Sequence, residues 1–127
     1  MTEEKGDREG EVADEVKRRL QYLEAVFGQV PLLARELSAY PDIFLPYSDL
    51  TDRVLLNPKH LDKKTAELAV IAATSALSGE HCLAVHLAQA MKYGASKDEI
   101  VEAMMIGAFM SMTVSQSVSL RKLKELG

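Results

Sequence analysis

An all-helical fold is predicted by three features of the sequence. Apolar residues recur at spacings of three and four through the long segments. A complete helix-start signature stands at Ser96-Lys97-Asp98-Glu99. No segment alternates apolar and polar residues over a strand's length. The 127 residues suit one domain, with a core but little surplus burial.

Each element follows from local signals. Residues 1–10 mix charges of both signs with Gly6 and Gly10 and read as a solvated, disordered tail. The single helical domain is expected to occupy 11–127. Its first helix, over 11–27, carries the stripe Val12, Val16, Leu20, Leu23 and Phe27, and Gly28 with Pro31 ends it. A short second helix over 32–39 stops at Tyr40-Pro41, because a residue before proline is driven out of the helical region. The third spans 42–55 with Pro46 near its start, where a missing N–H is tolerated. Asn57-Pro58 marks a turn.

The fourth helix is expected over 62–77 with Asp62 as its cap. Leu68, Ile71, Ala72 and Ser75 share one face, and alanines at 66, 69, 73 and 76 keep the rod thin. Ser78-Gly79 interrupts the pattern, and a fifth helix over 80–93 is closed by Gly94. The Ser96–Glu99 capping box opens a sixth helix reaching Met112 or beyond. A last segment over 113–126 ends in Arg121, Lys122 and Lys124, where positive charge suits a helix C-terminus. About six helices with short connections result. The central and last ones are apolar around much of their circumference, so they are expected inside a bundle or at a subunit contact.

Charge and composition exclude some functions. A net charge of −4 argues against broad binding to nucleic acid or an anionic membrane. No stretch reads as the run of roughly 20 apolar residues that spans a bilayer. The charged N-terminal segment lacks the apolar core of a signal peptide, so a cytoplasmic location is expected. With one cysteine, any disulfide must involve another molecule.

Reactive side chains concentrate between Ser78 and His86. Cys82 and His86 are four apart and share a helical face, where an imidazole can take the thiol's proton. A thiol in the first turn also meets the positive end of the helix dipole. The alternative is that Cys82 is a small buried hydrophobe and His86 a hydrogen-bonded core residue. Glu67 borders the apolar face of the fourth helix. Either it turns to solvent, or it is a buried carboxylate able to carry a proton. His81 adjoins Cys82 but points about 100° away, so a solvated helix-start histidine is an equal reading. Glu67, His81, Cys82 and His86 could each bind zinc, but no zinc spacing is present and no metal or cofactor is expected.

Taken together, several residues resemble the carboxymuconolactone decarboxylase / alkylhydroperoxidase D-like family. They are Phe27-Gly28-Gln29-Val30-Pro31, Tyr40-Pro41, the segment 61–73, Cys82-x-x-x-His86, Lys92-Tyr93-Gly94-Ala95 and Asp98-Glu99-Ile100. The resemblance covers roughly residues 26–112. It implies an oligomeric helical bundle, generally a homotrimer or homohexamer, with the active site near subunit contacts. Many members carry Cys-x-x-Cys-x-x-x-His and a glutamate twelve residues before the first cysteine. Cys82 matches the second cysteine, His86 the histidine and Glu67 the glutamate, and His81 falls where some members have a histidine. Gly79 stands where the first, resolving cysteine would be.

The resemblance therefore implies a thiol peroxidase with catalytic Cys82, His86, Glu67 and His81. Such an enzyme would need an external thiol or redox protein as reductant. One alternative is a lyase acting on a carboxylated lactone through His86 and Glu67, with Arg53, Lys59, Lys63 and Lys64 the available cations. Another is a non-enzymatic oligomeric binding protein on the same fold.

Overall fold

The computed structural model describes residues 2–127, with the backbone alone at His81. The described residues contain six α-helices and one π-helical turn, with no strand among them. The helices are α1 (Thr2–Phe27), α2 (Leu32–Leu37), α3 (Pro41–Thr51), α4 (Lys63–Leu77), α5 (Glu80–Lys92) and α6 (Lys97–Glu125); the π-helical turn is Asp52–Leu56. They form two compact units, one ending at Asn57 and the other beginning at Pro58.

In the first unit α1 starts at Thr2, so residues 2–10 are helical rather than a loose tail. Glu3 and Glu4 occupy the first turn, where acidic side chains complement the dipole. The two glycines cost about 1 kcal/mol each in a helix, which weakens it without stopping it. Val16 and Leu23 from the expected stripe are buried with Ala34, Phe44 and Leu56, and Phe44 is wholly enclosed. Pro46 lies inside α3, because Pro41 already takes the first helical position. The final turn of the expected third helix is wound as π-helix instead.

Arg19 ties α1 to α3. Its guanidinium donates to Glu15 at 2.8 Å, the Leu45 carbonyl at 2.9 Å, Ser48 Oγ at 2.7 Å and Asp49 Oδ1 at 2.6 Å. The hydrogen bond to Arg19, then that to Arg18, holds the Glu15 carboxyl below its usual range. A cavity of about 220 Å³ opens beside this network, lined by Tyr22, Asp52 and Leu56 among others.

The second unit packs α5 and α6 against α4. Buried Ile71, Ala90, Ala95, Ile100 and Ala103 form its core. Lys64 pairs with Glu99 at 2.8 Å, and Ala72 faces Gly107. The offset is 35 residues at both places, so α4 and α6 run in the same direction. They touch through backbone at Gly107. A Cβ there would overlap the Ala72 carbonyl group, lying 2.7 Å from its carbon.

α6 is continuous to Glu125, with no break near residue 113. It is also the one described helix long and apolar enough, by length and composition, to cross a membrane. The expectation that no such stretch exists is corrected. The serines and threonine after Met110 mask a run over 103–120 that carries no charge. Only 6% of its apolar window is buried.

Both predicted caps form. Asp62 accepts from the Thr65 N–H at 2.7 Å, and Ser96 and Glu99 exchange hydrogen bonds at 3.1 and 2.8 Å. Ser96→Ala is expected to lower the stability of this unit by about 1 kcal/mol, read from a urea midpoint, and Ser96→Asp to retain it. The Thr65 N–H holds Asp62 below its usual carboxyl range. Lys64, and then the Ser96 N–H, do the same for Glu99. A folded-state value below the unfolded one stabilises above the ordinary carboxylate range. That stabilisation is lost as pH falls through the range and below it.

Candidate active site

α4 and α5 form an antiparallel hairpin whose turn is Ser78-Gly79. Ser78 takes the left-handed conformation, φ 57°, which is uncommon for a residue with a Cβ. Its N–H and that of Gly79 both return to the Thr74 carbonyl and close the end of α4. Gly79 then caps α5 with φ −83° and ψ 74°, angles open to any residue. Its lack of a side chain answers to space instead. A Cβ at position 79 would stand 2.9 Å from the Thr74 methyl.

The hairpin brings Glu67 and His86 together. His86 Nδ1 lies 2.6 Å from Glu67 Oε2, and both residues are buried, at 8% and 3% exposure. Glu67 thus belongs to the buried face of α4 with Ala66, Ile71 and Thr74. That face is rotated from the Leu68–Ala72 stripe read in the sequence, and Leu68 and Ala72 are only partly buried. Facing a carboxylate, the ring carries its proton on Nδ1 and donates it to Glu67, which makes Nε2 the basic position. A carboxylate so placed fixes the orientation of the imidazole.

Cys82 is the third residue of α5 and is exposed. Its position one turn before His86 puts it on the same face. In this first turn the helix N–H groups lack intrahelical acceptors, and Glu80 shares the turn with the thiol. Cys82 lies outside both hydrophobic cores of the chain. The His81 side chain lies outside the described residues, so its part in the site rests on sequence.

Thr74 and Gln89 are two buried polar residues of the hairpin that the sequence reading passed over, at 9% and 5% exposure. Gln89 follows His86 by three and Cys82 by seven, a spacing that marks the same helical face. Two of the cations considered for a carboxylate clamp, Lys63 and Lys64, are engaged elsewhere. Lys64 is held by Glu99, and Lys63 lies 5.4 Å from the Tyr93 ring centre. No group of three or more His, Cys, Asp or Glu residues suited to a metal occurs among the described residues.

The fold and site define an all-helical domain whose central hairpin buries a carboxylate–imidazole pair beside a helix-start thiol. The chain belongs to the carboxymuconolactone decarboxylase family, whose model matches residues 41–125, from the start of α3 to the end of α6. No curated protein and no solved structure gave a significant match.

Proposed function

We propose that the chain is a thiol-dependent peroxidase in which Cys82 is the reacting thiol and reduction comes from outside. The observation that carries this reading is the buried 2.6 Å Glu67–His86 pair, one helical turn from the exposed Cys82. His86 takes the thiol proton, and Glu67 stabilises the imidazolium so formed. The thiolate attacks one peroxide oxygen and the O–O bond breaks. The departing oxygen leaves as water or an alcohol, with His86 returning the proton. Cys82 is left as a sulfenic acid. An external thiol displaces water from that sulfur to give a mixed disulfide. A second thiol releases Cys82 and departs as the oxidised disulfide.

Peroxide consumption with an excess of small thiol is the direct test. Cys82→Ser is expected to reduce the rate by at least about a hundredfold, and equal rates would sink the reading.

The Glu67–His86 pair also supports a second reading, a lyase acting on a carboxylated lactone by acid–base chemistry alone. Alkylation of Cys82 separates the two. It abolishes peroxide turnover and leaves the lyase reaction largely intact. The engagement of Lys63 and Lys64 elsewhere favours the peroxidase.

A further inference from the structure

Among the described residues four polar or charged side chains are buried, Glu67, Thr74, His86 and Gln89, and all four belong to the α4–α5 hairpin. Glu67 and His86 form the pair, and Thr74 packs at the turn beside position 79. Gln89 is 5% exposed. An amide is costly to enclose unless its polar ends are met, and an apolar side chain would fill the same space without that cost. Its neighbour Ala90, wholly buried, does so. The polarity of position 89 therefore answers to a polar neighbour.

The register of the hairpin identifies that neighbour. Thr74 stands against position 79, and Glu67 against His86. Seven residues back along α4 thus match seven forward along α5. Three more in each direction put Lys64 level with Gln89. Lys64 is turned to Glu99 on α6, at 2.8 Å. The nearest buried polar residue of α4 is then Glu67, one turn on. On α5, Cys82, His86 and Gln89 fall within about 60° of one line at 100° per residue. Gln89 starts about 4.5 Å beyond His86 along the axis, and long helical side chains lean back towards the N-terminus. Its amide is thereby carried towards the level of the His86 ring, from the side away from Cys82.

We propose that Gln89 is a positioning residue for His86: its amide backs the ring and holds the tilt that turns Nε2 towards Cys82. The proposal rests on the reading of His86 as the base that takes the Cys82 proton. Glu67 holds the ring at Nδ1, and a single hydrogen bond leaves the ring free to pivot about it. A second polar neighbour one turn further along α5 removes that freedom.

The rate at which iodoacetamide alkylates Cys82 in the full chain, at fixed pH, tests this without any peroxide. Gln89→Met, close to glutamine in shape but lacking the amide, should lower the rate by about tenfold. Gln89→Asn, which keeps the amide on a shorter stem, should recover part of it. The deciding comparison is made on His86→Asn, which keeps an N–H for Glu67 and removes the basic Nε2. There Gln89→Met should change nothing further, because its effect runs through the ring. Equal rates for Gln89→Met and wild type would overturn the proposal. So would the same loss on both backgrounds, the mark of a purely structural residue. Where Gln89→Met does not fold, judged by helicity, Gln89→Asn compared on both backgrounds decides in the same way. A wild-type chain that alkylates as expected but consumes no peroxide would overturn the peroxidase reading and leave the role of Gln89 standing.

Discussion

Gly107→Ala is expected to destabilise the second unit by about 3 kcal/mol, a large share of what a domain this small has in reserve. On an isolated helix the same change would stabilise by about 1 kcal/mol, since glycine is the poorer helix former. Here the steric term dominates. The added methyl meets the Ala72 carbonyl carbon and Cα, at 2.7 and 3.0 Å, with the carbonyl oxygen closer still. Those atoms belong to a helix backbone and cannot rotate aside as a flexible side chain could. α4 and α6 must therefore separate, and burial of Ile71, Ile100 and Ala103 suffers along the contact. Urea unfolding compared with Ser111→Ala, an exposed change on the same helix, checks the sign. A Gly107→Ala protein as stable as wild type would show that the helices slide apart at little cost.

Glu67→Gln is expected to lower peroxide turnover by about 10²–10³-fold with only a modest loss of stability. The amide keeps an oxygen to accept from His86 Nδ1, so the ring stays in place, but it no longer stabilises the imidazolium. Glu67→Ala should cost about 3 kcal/mol as well, because it removes the carboxylate from a buried ring and opens a cavity. Steady-state rates and urea midpoints on both variants separate the two contributions. If Glu67→Gln kept full activity while Glu67→Ala unfolded, the pair would be structural only.

Much of this architecture was legible in the sequence, for identifiable reasons. Asp62, Ser96 and Glu99 are caps because short polar side chains reach their own helix starts, a purely local matter. Gly94 after α5 and the Ser78-Gly79 break are equally local. What escaped the sequence was set by tertiary contact. The buried face of α4 follows Glu67 rather than Leu68, because the partner of Glu67 lies 19 residues away on α5. Gly107 reads as an ordinary helix glycine until Ala72 is placed against it. Thr74 gains its meaning only from the empty position 79. The N-terminal residues read as a loose tail from their dense mixed charge and two glycines, whereas Glu3 and Glu4 also suit a helix start.

The exposed lone thiol of Cys82 has a consequence for the folding balance of the chain. An internal disulfide restricts the unfolded ensemble, so a protein that makes one becomes harder to unfold when oxidised. No such bond is available to a chain with a single cysteine. Whatever Cys82 acquires on oxidation sits on the surface and leaves both folded and unfolded ensembles unconstrained. Oxidation of Cys82 therefore adds no cross-link within the chain, and the chain-entropy stabilisation that an internal disulfide brings has no counterpart here.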